Sequence, residues 1–259
     1  MTIPGCRLIA SDTASGSPIP FWGQIACQTQ GQATTSPRGG DPDPTATGAP
    51  QGNSASRRVT VFDGDDIWGE RCELGENDWR VGPTAFYRQG DRLATYFSLR
   101  LPENFPPQTN DWQTVMQMKQ SQPSDGGGGA PILELEARQG RWVVVDDWHE
   151  LFSFPARKKT WTRFAWDVYY SQSSKRGWLQ VSADLNGDGD FNDPGERSPV
   201  FHVATLKTEI EGPDGSSDGL AAGRPIPSHL RMGIYHDPAI PCPAPTGCSV
   251  ELDNVQVLG

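Results

Sequence analysis

Arg71-Cys72-Glu73-Leu74, Gln117-Met118-Lys119-Gln120 and Met232-Gly233-Ile234-Tyr235 lie far apart in the chain, and each sits in a stretch that reads as a β-strand. Side chains two apart on a strand point to the same face. Arg71 therefore shares a face with Glu73, Gln117 with Lys119, and Gly233 with Tyr235. If the three strands join one sheet, that face presents cations, an amide and a phenol. These groups can bind a carboxylated sugar and take a proton from the carbon beside its carboxylate. Gln-x-Lys alone is no more than the solvated face of an ordinary antiparallel strand. Its weight comes from its partners.

The elements that must position these residues read as short strands at 57–62, 67–74, 92–101, 112–120, 131–138, 142–147, 161–170, 178–183, 199–204, 230–235 and 249–258. Gln139-Gly140 is the best local hairpin signal. Met116 and Met118 alternate with Gln117 and Lys119, so the methionines enter the core and the polar pair faces outward. With 29 Gly, 23 Pro and 9 Trp in 259 residues, and no long leucine-rich amphipathic run, the chain reads as all-β. The expected fold is a sandwich of two antiparallel sheets. One structural domain is expected, with an edge segment and Gly/Pro/Ser/Thr-rich loop over 1–56 and the sandwich over 57–259. Residues 5–27 could add an edge strand. Residues 28–56 read as a loop without periodicity, either disordered or lying over a groove as a lid.

A formal net charge of −10 argues against non-specific binding to nucleic acid. It does not exclude a polyanionic ligand, because charges beyond about 10 Å are largely screened and the local charge of a cleft decides. No apolar run is long enough to span a membrane. The first ten residues lack the basic and apolar regions of a secretory signal, so a signal was either removed or never present. The cysteines favour an extracellular setting. Cys242 and Cys248 flank a Pro-rich loop that a disulfide can close, and Cys6 and Cys27 flank another. Cys72 is left over, and alternation places it with Leu74 as a buried, unreactive thiol.

The order and spacing of the strand motifs resemble the jelly-roll polysaccharide lyases, a group that includes heparin lyase I, glucuronan lyase and the alginate lyases. The resemblance runs from Val59 to the C-terminus. It comprises Arg-x-Glu-Leu at Arg71, Phe-Ser-Leu-Arg-Leu-Pro at Phe97, Gln-x-Lys at Gln117, Pro-x-Leu-Glu-Leu at Pro131, Gly-Ile-Tyr at Gly233 and Leu-Asp-Asn-Val at Leu252. It implies a concanavalin-like jelly roll and β-elimination at a uronic acid within an acidic polysaccharide. Arg71 and Gln117 would neutralise the carboxylate as charge develops on it. Tyr235 stands where these lyases carry the tyrosine that protonates the leaving oxygen and sometimes also removes the C5 proton. Many relatives have His where this chain has Lys119. Lysine neutralises well but is a poor base near neutral pH unless burial or nearby cations lower its pKa, so Lys119 is expected to bind carboxylate. Glu73 is expected beside the substrate as the group that orients Arg71. Arg231 shares Tyr235's face, and it, Trp68, Tyr87 and Arg88 are placed as subsite residues. His149, His202 and His236 are expected to be structural. Glu134 and Glu136, on one strand face, keep open a glycoside hydrolase working through paired carboxylates. A non-catalytic sugar-binding module is the other alternative.

Asp184, Asn186, Asp188 and Asp190 place oxygen side chains at alternate positions between glycines, with Glu196 beyond them. This is a calcium-type loop without the full EF-hand pattern, since Gly195 occupies the position of the closing Glu. A structural Ca2+ is expected there. The expected molecule is a secreted monomer.

Overall fold

The structure, a computed structural model, describes residues 7–12, 22–37, 55–78, 82–83, 87–106, 109–120, 131–209 and 223–259. Two seven-stranded antiparallel sheets pack face to face. The first runs β14 (Trp178–Asp184), β13 (Trp161–Tyr169), β8 (Arg92–Arg100), β16 (Cys248–Leu258), β4 (Ala55–Val61) and β3 (Ala33–Pro37), with β1 (Leu8–Asp12) also paired to β16. The second runs β12 (His149–Pro155), β11 (Arg141–Asp146), β10 (Leu133–Arg138), β9 (Gln113–Gln120), β15 (Ser228–His236), β5 (Arg71–Gly75) and β2 (Gln24–Ala26). A short ribbon joins β6 (Asn77–Asp78) to β7 (Gly82–Pro83). This is the expected jelly-roll sandwich. Among the described residues, no helix is long and apolar enough to cross a membrane.

Strand alternation builds the core. Met116, Met118, Leu135, Trp142, Leu74 and Ile234 of the second sheet face Phe97, Phe164 and Trp166 of the first, all buried in one cluster. The Trp142 and Phe164 rings meet edge to face at 5.4 Å across the layers. Gln139 and Gly140 both have positive φ, as a two-residue hairpin turn needs, and they join β10 to β11 as expected.

Other elements differ from the sequence reading. The strand expected at 67–74 begins only at Arg71, because Trp68 (φ 59°) and Gly69 (φ 99°) are left-handed and break the extended run. The loop expected over 28–56 contains a short 3-10 turn at Gln30–Gln32, strand β3 and the start of β4, while 38–54 lie outside the described residues. The 5–27 segment supplies two edge strands, β1 and β2. No strand forms at 199–204, where Phe201 makes only an isolated bridge to Leu179. β12 falls in a stretch left unassigned. Cys27 pairs with Cys72 and not with Cys6, because β2 lies beside β5 and brings the two sulfurs together. Cys72 is buried as expected but is not a free thiol. Cys6 lies outside the described residues. The Cys242–Cys248 bond is present.

Candidate active site

β9, β15 and β5 are neighbours in the second sheet, so the three motifs share one face. Tyr235 pairs directly with Arg71 and Gly233 with Glu73, while Arg231 pairs with Gln117 and His229 with Lys119. Gly233 makes the close approach of β15 to β5 possible. It has φ 153°, and a Cβ there would lie 2.2 Å from the Cys72 carbonyl oxygen. The register of β15 against β9 shifts between Met232 and Tyr235, a bulge that re-aims the tyrosine. A second irregularity in β9 puts Thr114 opposite Glu136 and sends Val115 into the core, which simple alternation had placed outward.

Glu73 is the hub of the cluster. It is buried, with 1% exposure. Arg71 Nη1 donates to Glu73 Oε2 at 3.2 Å, Gln117 Nε2 donates to Oε1, and Arg231 Nη1 stands 3.8 Å from Oε2. Arg71 Nη2 donates to the Trp68 carbonyl at 2.5 Å. Both terminal nitrogens of Arg71 are thus engaged with the protein's own groups, where the resemblance implies a contact with the substrate carboxylate. Its guanidinium lies over the Tyr235 ring, 3.6 Å from the centroid. Trp112 meets the same ring edge-on at 4.6 Å, and Gly69 packs against it on another side. Tyr235 itself stays half-buried, within reach of solvent.

Lys119 is half-buried opposite His229. Burial, then the neighbouring Arg231 and Arg71 guanidinium groups, lowers its ammonium to about 8 despite the opposing pull of Glu73 and Glu134. Glu134, on β10 opposite Gln117, accepts the Thr114 hydroxyl at 2.5 Å, and burial raises its carboxyl to about 7. Three cations therefore gather around Glu73 and one carboxyl that is near half-protonated at neutral pH. The local charge is positive in a chain whose net charge is −10.

His229 was not foreseen. The strand expected at 230–235 starts one residue too late to include it. It lies two residues before Arg231 on the same face, which is the signal that could have found it. Its Nε2 accepts from Arg231 Nε at 3.0 Å, and burial, then Arg231 and Lys119, keeps the imidazole well below its usual pKa. The ring is therefore neutral, with its remaining proton on Nδ1. Gln24, from β2, takes a second Arg231 bond at 3.2 Å.

The remaining candidates divide. Trp68 is 65% exposed and joined to the cluster through its carbonyl. Arg88 sits on the exposed turn that leads into β8 of the other sheet. Tyr87 is no subsite residue. It is fully buried, stacks on Tyr170 at 5.1 Å and donates to Glu76, whose carboxyl burial raises to about 8. His236 is buried, with Nδ1 donating to the Asp237 carbonyl and Nε2 facing Cys242 Sγ. His149 and His202 are exposed. Glu136 is nearly buried in an ion pair with Arg138 at 3.0 Å.

The acidic loop after β14 is closed by its own hydrogen bonds. Asp184 accepts from the amides of Gly187 and Gly189, Glu196 from those of Leu185 and Asp193, and Asp188 and Asp190 from those of Asp190 and Asn192. Asn186 donates to Asp188 and Asp193. Among the described residues, no group of three or more His, Cys, Asp or Glu side chains converges as a metal cage.

Among solved structures, the chain is similar to an endo-β-1,4-glucuronan lyase from the fungus Trichoderma reesei, at 15% identity and TM-score 0.62, covering 97% of this chain and 95% of that one. It is also similar to a GH131 β-glucanase catalytic domain from Podospora anserina, at 15% identity and TM-score 0.52, covering 96% and 90%. A third similar structure is the alginate lyase Aly36B, at 9% identity and TM-score 0.52, covering 91% and 86%. These likenesses establish the fold. A search of curated protein sequences returns no significant match. A polysaccharide lyase family model matches residues 27–251, which takes in β3 to β15 and every residue of the Glu73 cluster except Gln24. The chain belongs to that polysaccharide lyase family.

Proposed function

We propose that this polysaccharide lyase cleaves a uronic-acid-containing polysaccharide by β-elimination, leaving a 4,5-unsaturated uronate end. The supporting observation is the gathering of Arg71, Arg231 and Lys119 around the buried Glu73 carboxylate, with the half-buried Tyr235 phenol beside them. A second negative charge is what this arrangement accommodates, and a uronate carboxylate supplies it. Lys119, with the remaining amide N–H of Gln117, would hold that carboxylate, and Arg231 would add its positive charge beside it. Arg71 would act through its place over the ring. Tyr235, entering as the phenolate, would take the C5 proton, the C–H electron pair would form the C4–C5 double bond, and the C4–O4 bond would break with its electron pair passing to O4. The phenol would return its proton to O4. The negative charge of the phenolate, present before the C5 proton is taken and restored once O4 is protonated, would lie beside the fixed Arg71 cation.

Glucuronan is the first substrate to try, with alginate and heparin-type glycans as the comparison set. The test is a rise in ultraviolet absorbance from the conjugated product. The hydrolase reading draws on Glu134 and on the GH131 likeness in fold. It predicts new reducing ends without absorbance, and a binding module predicts neither. Absence of absorbance on every polyuronate would sink the lyase mechanism.

The two disulfides support an extracellular setting. Calcium at the 184–196 loop is a separate proposal, supported by ligand types and spacing.

A further inference from the structure

We propose that Trp148 is a sugar-stacking platform at the far side of the polysaccharide-binding face, several rings from the bond that is cleaved; this rests on the polyuronate reading above. Trp148 is 65% exposed, as is Trp68. A single exposed aromatic needs no explanation by itself. The backbone supplies one here. Asp147 (φ 43°) and Trp148 (φ 75°) form the two-residue turn between β11 and β12, in which Asp146 pairs with His149. Both central positions are left-handed, the geometry that favours Asn and Gly and penalises a bulky aromatic. The fold nevertheless holds it in place. Lys207 Nζ meets Asp147 Oδ1 at 2.5 Å, and the Asp147 amide donates to the Ile132 carbonyl at 3.3 Å. An indole is thus kept in solvent, in a conformation that glycine would adopt without strain. Strain retained at an exposed position points to a function.

Its place in the sheet says which one. In strand order the Glu73 cluster occupies β9, β15 and β5, and the β11–β12 turn lies on the β10 side of it. Three to four strand spacings of about 4.8 Å separate β15 from that turn, roughly 15–20 Å across the sheet. Trp68 stands at the other side, just before β5, where its carbonyl holds Arg71 and the adjoining Gly69 packs on Tyr235. The two exposed indoles therefore bracket the cations. A sugar chain crossing the strands would meet one on each side, and the apolar face of a sugar ring covers an indole well.

The test compares Trp148→Gly and Trp148→Tyr with the wild type on long glucuronan and on its trisaccharide, reading kcat and KM by absorbance and stability by thermal unfolding. For Trp148→Gly the expected result is a Tm no lower than wild type, a KM for polymer raised about tenfold, and unchanged KM for trisaccharide and kcat on both. Trp148→Tyr should keep most of the polymer affinity. An unchanged polymer KM, an equal rise for the trisaccharide, or a lowered Tm would each overturn the proposal. If the wild type gives no absorbance, the elimination reading fails instead. Retardation in a polyuronate-containing gel then still decides Trp148, by whether Trp148→Gly abolishes it.

Discussion

The guanidinium of Arg71 lies over the ring of Tyr235, 3.6 Å from its centroid, and the two residues are directly paired across β5 and β15. The contact is held from behind, since Glu73 and the Trp68 carbonyl each take one end of the guanidinium. A planar, forked cation satisfies all three partners at once. An ammonium cannot.

Arg71→Lys is therefore expected to behave as a severe change despite keeping its charge. We predict a kcat lowered about 100-fold, equivalent to about 2.7 kcal/mol, with a smaller change in KM. Steady-state kinetics on a polyuronate checks this, and near wild-type kcat would show that charge alone suffices.

Glu73→Gln removes the carboxylate on which the cluster converges. With 1% exposure at Glu73, Arg71 and Arg231 would be left as buried cations without their counterion. Destabilisation on the order of 3 kcal/mol is expected, seen as a lowered denaturant midpoint at constant m-value. Activity should fall with it. A variant of unchanged stability would mean that the arginines are neutralised elsewhere.

Lys119 gives the site its pH dependence. Its pKa is lowered from 10.5 to about 8, so the cationic form dominates below pH 8 and is lost as pH rises through that value. As a carboxylate clamp it should let KM rise above pH 8 while kcat holds, and Lys119→Met should have a high KM at every pH. A kcat that instead climbs through pH 8 and vanishes in Lys119→Met would make the lysine the base.

Calcium binding at the 184–196 loop predicts a Tm raised by millimolar Ca2+ and restored by chelator, with Asp184→Asn insensitive to both. Identical melting curves with calcium and with chelator would remove the ion from the account.

Much of this was legible in the chain because alternation depends only on parity. Arg71 with Glu73, Gln117 with Lys119 and Gly233 with Tyr235 needed no tertiary information beyond a shared sheet. The reading failed where the backbone leaves the extended region or where partners come from distant strands. Trp68 and Gly69 gave no sign of their left-handed turn, so the strand began too early. Cys27 reaches Cys72 only because β2 adds to β5, which local loop spacing could not reveal. Tyr87 looked like a surface aromatic until its hydroxyl met the buried Glu76. Burial also explains Lys119, since the lowering of its pKa depends on cations from two other strands.

The central claim, proton transfer by Tyr235 in a β-elimination, is tested most directly by following ultraviolet absorbance as wild type and Tyr235→Phe act on glucuronan. Wild type should generate the unsaturated product, and the variant should lose at least about 1,000-fold in kcat while still binding polymer, because only the phenolic hydroxyl is removed. Retained absorbance in Tyr235→Phe would contradict the assignment of the tyrosine. Cleavage by the wild type without absorbance would contradict the elimination itself.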